Sequence, residues 1–128
     1  LKLEEKLREN GQNLAIQGEL IGEGIQGNPY KIKGHTVRFF NAFDIDSQTY
    51  YGLPMFLALF EHQFKLEIVP MLTNLTMKLP QTIDECLAFA DGKSVLNDGF
   101  DREGVVFRTM DRTVSFKAIS NTFLLKEK

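Results

Sequence analysis

Residues 13–22 alternate, with Ile16 and Gly18 falling on one face and Gln17 and Glu19 on the other. A period of two is the signature of a half-buried strand. A second β-rich run covers residues 36–46 and carries Val37, Arg38, Phe39 and Phe40, and shorter strands are predicted at residues 30–33 and 66–71. Between them, residues 53–64 place apolar side chains at 53, 56, 57, 59, 60 and 64, with Pro54 in the first turn. That is helical spacing. Thr82-Ile-Asp-Glu85 has the form of a capping box and opens a helix that runs to about Asp91, ahead of Gly92. Residues 93–102 are polar and loop-like. Strands at 104–108 and 113–118 follow, joined by a turn around 110–112. At the other end, Leu3 and Leu7 lie at helical spacing among charged residues, before a stop at Gly11. The pattern predicts an α+β fold, mainly antiparallel sheets with a few helices.

Length and composition narrow this only a little. The 128 residues fit one domain or part of one, and 43% hydrophobic with 25% charged residues is ordinary for a globular chain. Eleven phenylalanines supply material for a core. The formal net charge of -2 argues against a large phosphate-tracking surface, though a nucleotide pocket needs only a few placed charges. Cys86 is the single cysteine, so no internal disulfide forms, which suits an intracellular, cytoplasmic protein. No run approaches the ~18 apolar residues of a membrane span, and no signal peptide is visible, so no membrane partner is expected. The opening Leu-Lys-Leu-Glu-Glu, without an initiator methionine, reads as the interior of a longer protein.

Several motifs promise chemistry that their surroundings do not support. Gly22-Glu-Gly24-Ile-Gln-Gly27 matches a dinucleotide fingerprint, but that device needs a helix next, and Asn28-Pro29 and a strand-like segment follow instead. A tight loop is the simpler reading. Gly92-Lys93-Ser94 ends like a P-loop, yet the earlier glycine position is Leu87. His35 and His62 stand in no metal-ligand spacing. Lys31-Ile-Lys33-Gly34 has lysine where a ligase nucleophile motif requires an acid, and reads as a solvated strand and turn.

Glu19, Glu103 and Lys117 are different, because all three fall on or at the start of strands. Charges on sheet faces are costly to bury without partners. Taken singly, each reads most simply as solvated on an open face.

Their order changes that reading. Gln17-Gly-Glu19-Leu-Ile-Gly22 resembles motif III of the covalent nucleotidyltransferases, and Phe39-Phe-Asn-Ala-Phe43-Asp44-Ile45 resembles motif IIIa. Glu103-Gly-Val-Val-Phe-Arg108 resembles motif IV, and Ser115-Phe-Lys117-Ala-Ile-Ser-Asn121 resembles motif V. The intervening Leu66-Glu-Ile-Val-Pro70 is similar to a segment common in RNA ligases, and residues 25–30 and 118–126 are similar to the RNA ligase branch in wording. The resemblance covers residues 14–126.

It implies an ATP-dependent RNA ligase, with residues 1–128 forming part of an ATP-grasp-like adenylation domain that lacks its N-terminal nucleophile segment. ATP, magnesium or manganese, and RNA ends are the implied cofactors and partners. By the same resemblance Phe43 stacks on adenine, with Phe40 the second candidate. Glu19 contacts the ribose or helps organise metal, Glu103 binds or positions the divalent cation, and Lys117 neutralises the α-phosphate. The chemistry is coherent: attack on that phosphate gathers negative charge, which a lysine and an oxygen-bound magnesium stabilise.

Two departures accompany it. The family's Lys-x-Asp-Gly nucleophile and the arginine-bearing motif after it are absent, so the chain alone is expected to be inactive in the first step. Ile119 stands where related phage ligases have a second lysine, with Lys126 as a candidate substitute. A DNA ligase or capping-type enzyme, a degenerate nucleotide binder and a non-enzymatic α+β module are the alternative readings.

Overall fold

The computed structural model describes residues 2–25, 28, 30–72, 78–97, 99 and 101–126. It is an α+β arrangement of two antiparallel sheets and four α-helices among the described residues. Helix α1, Leu3–Asn10, turns Leu3 and Leu7 onto the core and stops at Gly11, whose N–H donates to the Arg8 carbonyl. Strand β1, Leu14–Gly22, pairs with β2, His35–Asp44, which pairs in turn with the short β3, Thr49–Tyr50.

The predicted helix at 53–64 is present in two pieces. Helix α2, Leu53–Leu57, begins with Pro54 in its first turn and continues as a π-helix, Ala58–Phe64. Its apolar positions meet β2. Phe39 stacks on Phe60 at 5.2 Å between ring centroids, with Phe56 and Phe64 at 4.8 and 5.7 Å on either side of Phe60. All four rings are buried. Fully burying one such side chain is worth about 1.5–3 kcal/mol, so this stack anchors the first sheet.

The second layer begins with α3, Ile83–Ala90, where the Thr82 hydroxyl accepts from the Glu85 N–H at 3.1 Å as the capping box predicts. The hairpin of β4, Gly104–Arg108, and β5, Ser115–Ile119, follows, then α4, Asn121–Lys126. Val105, Phe107 and Ala118 alternate onto one face and pack with Ala90 of α3. Helix α4 has no counterpart in the sequence reading. Ser120 starts it, accepting from the Phe123 N–H at 3.2 Å while donating to Asp91 at 2.5 Å.

Two predicted strands are corrected. Residues 30–33 form a turn, because the Asn28 side chain clasps Ile32 through both its carbonyl and its N–H. Residues 66–71 reduce to one parallel bridge, Phe39 to Ile68, held by Phe39 N–H to Glu67 and Val69 N–H to Phe39. Residues 26, 27 and 29 of the glycine-rich loop lie outside the described residues. No helix among the described residues is long and apolar enough to cross a membrane.

Candidate functional site

A cavity of about 770 Å³ opens between the first sheet and the β4–β5 hairpin, and Glu19, Glu103 and Lys117 all line it. Two parts of the chain far apart in sequence, β1 and the β4–β5 hairpin, therefore converge on one space.

Each is placed by local structure. Glu19 leaves β1 on the face opposite Ile16, which packs on the core, and lies across from Arg38 of β2. Gly18 just before it lets the strands close. A Cβ there would come within 2.7 Å of Val37 and 2.9 Å of Phe39. Glu103 is fixed from both sides. Arg102 donates to the carbonyls of Phe89, Ala90 and Asp91 at the end of α3, and the Glu103 carbonyl accepts from the Ser120 N–H at 2.7 Å. Gly104 then brings β4 against β5 so closely that a Cβ would lie 2.2 Å from the Ala118 carbonyl oxygen. Lys117 pairs across the hairpin with Val106, on the face opposite Val105 and Ala118.

The result is a Lys117–Glu103 ion pair at 2.6 Å. The two side chains remain 45% and 55% exposed, so the pair adds little to stability and both groups stay available to a ligand. Tyr30 also lines the cavity. Burial raises its pKa, and the charges of Glu19 and Glu103 raise it further, so both carboxylates act on the same volume.

The two aromatic candidates of motif IIIa are placed differently. Phe40 lines the cavity and Phe43 does not. The register slips between Gln17 and Gly18, which face Asn41 and Phe39, leaving Phe40 as an extra residue in β2. This bulge lets Phe39 and Ala42, three apart, both point into the core. Phe43 is displaced about 10 Å along the strand from Phe40 and packs on Tyr50, with centroids 5.0 Å apart. Lys126 pairs with Asp101, as does Lys93, and is not part of the lining.

The sequence reading missed Arg38. It lines the cavity with its Nη2 3.1 Å from Glu67 and its Nε buried without a partner among the described residues. Its signal was a charge inside a β-rich run, directly across from Glu19 once the register is known.

Among the described residues no group of three or more His, Cys, Asp or Glu is placed to hold a metal ion. Two carboxylates on one cavity nevertheless fit magnesium or manganese, since magnesium is commonly held by one or two carboxylates with substrate phosphates and water completing its shell.

The chain is similar to known proteins of one kind. An RNA ligase of Naegleria gruberi with pyrophosphate is 41% identical over 98% of this chain and 37% of its own, with a TM-score of 0.90. Variants of that ligase with ATP and manganese, and with AMP and manganese, are 40% and 43% identical, with TM-scores of 0.91 and 0.87. Each covers 98% of this chain and 38% of its own, so the chain spans under two fifths of these solved relatives. No curated protein sequence matches. The family model described as RNA ligase matches residues 1–123, and with that match and the solved relatives at 40% identity or more, the chain belongs to the RNA ligase family.

Proposed function

We propose that this chain is the ATP-binding, C-terminal part of an ATP-grasp-like adenylation domain, in a cytoplasmic ligase that joins RNA 3′-hydroxyl and 5′-phosphate ends. The observation that carries the reading is the convergence of Glu19, Glu103 and Lys117 on one cavity. The motif III, IIIa, IV and V assignments supply the roles. Lys117 lies against the α-phosphate and stabilises the charge gathered there. Glu19 and Glu103 hold a magnesium or manganese ion, which supplies charge neutralisation at phosphate oxygens. Phe40, which lines the cavity, presents its face to adenine, with Phe43 the other candidate.

The full protein works in three steps. A lysine nitrogen attacks the α-phosphorus of ATP, forming a P–N bond and releasing pyrophosphate. AMP then passes to the RNA 5′-phosphate, freeing the lysine. Finally the 3′-hydroxyl oxygen attacks that phosphate, and AMP leaves. None of this chain's lysines stands in the nucleophile motif, so the chain alone forms no lysyl adenylate.

Intact mass after incubation with ATP and magnesium or manganese tests this. The full-length protein gains one AMP that is lost on adding 5′-phosphorylated RNA, and the 128-residue chain gains none. A folded full-length protein without the adduct would make the family membership ancestry without chemistry. Release of the AMP by nicked DNA in preference to RNA would move the reading to a DNA ligase.

A further inference from the structure

The turn of the β4–β5 hairpin brings two arginines to one side of the cavity with no acid to answer them. Arg108 ends β4, and its Nη1 donates to the Phe40 carbonyl and to Asn41 Oδ1, both at 2.7 Å. Both acceptors are uncharged. The Arg112 guanidinium lies over the Phe56 ring, 5.5 Å from its centroid, and its buried Nε has no acceptor among the described residues. Neither arginine forms an ion pair among the described residues. The adjacent acid, Asp111, is occupied within the turn. It accepts from the Thr109 and Thr113 hydroxyls at 2.7 Å each and from the Thr113 N–H at 3.0 Å. Burial lowers the pKa of both guanidiniums, and the charge of Arg108 lowers that of Arg112 further. Two half-buried cations without a counter-charge are costly, and an anion between them relieves the cost.

The space for that anion exists. A cleft of about 90 Å³ is lined by Asn41, Tyr50, Arg108, Arg112 and Ser115, which include two hydroxyls and no carboxylate. A cleft of this size has room for one tetrahedral oxyanion. Arginine forks match phosphate geometry.

We infer that this cleft binds a single phosphate of the RNA strand beside the adenylate pocket. The choice of RNA over the nucleotide's own phosphates rests on the functional reading above. With adenine on Phe40 and the α-phosphate on Lys117, the remaining phosphates run away from Phe40. Arg108 sits against that ring, 5.3 Å from its centroid, at the adenine end. Glu103 lies at the opposite end of β4, about 15 Å away at strand spacing. A single phosphate site is also compatible with the net charge of -2, which speaks only against an extended basic surface.

The test compares Arg112→Gln and Arg112→Lys in the full-length protein carrying this chain. Binding of a 5′-phosphorylated single-stranded RNA is followed by fluorescence anisotropy over a salt series. Arg112→Gln is expected to weaken binding several-fold and to reduce the slope of log Kd against log salt by about 0.7, the value for one phosphate contact on a single strand. Arg112→Lys keeps the slope and loses affinity, because charge is retained and the fork is not. It also keeps the test open should Arg112→Gln fail to fold. Self-adenylylation by ATP is read in the same samples as a separate measure of the nucleotide site, whose cavity Arg112 also borders. An unchanged slope in Arg112→Gln overturns the inference. If it comes with a raised KM for ATP, the cleft belongs to the nucleotide's phosphates; if only the melting temperature falls, Arg112 is structural. A wild-type protein that takes up no AMP defeats the ligase reading instead, while the slope comparison still judges the cleft.

Discussion

Phe40 and Phe43 differ in use because one extra residue sits in β2. Phe40 borders the cavity, whereas Phe43 makes an edge-on contact with Tyr50. Base–aromatic stacking is worth about 1–3 kcal/mol by alanine substitution. Phe40→Ala is therefore expected to weaken ATP binding about tenfold or more, measured by calorimetric titration of the full-length protein. Phe43→Ala should leave ATP affinity near wild type and lower stability in urea by more than the ~0.5–1.5 kcal/mol that an aromatic pair is worth beyond its area, since buried area is lost as well. The opposite pattern would return the stacking role to Phe43. This pair also marks the limit of what the sequence discloses about the site. Glu19, Glu103 and Lys117 were legible because charges inside β-rich runs are conspicuous and their order matched a family. Which of Phe40 and Phe43 borders the cavity was not, since a bulge shifts the register without leaving a compositional trace.

The β4–β5 hairpin shows how an element is held at its turn. Asp111 takes hydrogen bonds from the Thr113 hydroxyl and N–H and from the Thr109 hydroxyl, and these hold its carboxyl at about 2, below its ordinary 3.8. A depressed folded-state pKa stabilises the native state where the group is ionised in both states. The contribution is thus complete above about pH 4 and is lost as pH falls through 4 towards 2. Asp111→Asn removes that dependence. Its melting temperature should fall less between pH 4 and pH 2 than that of the wild type, by circular dichroism at matched salt. Parallel acid limbs would show that the turn does not depend on the carboxylate. Elements were the most legible scale. Helix α2 and the β4–β5 hairpin follow directly from apolar spacing, and α3 from its capping box. The misses were short pieces decided by single side chains: Asn28 turned 30–33 into a loop, and Ser120 started α4.

At the scale of the whole molecule, the site is a space between two sheets, and no single motif contains it. The sheets meet through few links. The Leu53 N–H donates to the Met110 carbonyl at 2.8 Å, and Arg108 reaches Phe40 and Asn41. Hydrogen bonds from a charged group are worth about 1.5–3 kcal/mol, so Arg108 is the strongest of these ties. Arg108→Leu keeps volume near the Phe40 ring but removes both bonds. It should loosen the hairpin against the first sheet without unfolding either. Amide exchange is then expected to rise at Leu53 and along Gly104–Arg108, while the Phe39–Phe56–Phe60 core keeps its protection. ATP affinity should fall at the same time, although Glu19, Glu103 and Lys117 are untouched, because their convergence depends on how the sheets face each other. Unchanged exchange at Leu53 with unchanged ATP affinity would show that packing alone sets the gap. A rise in exchange throughout the Phe60 core would show instead that the two layers unfold as one.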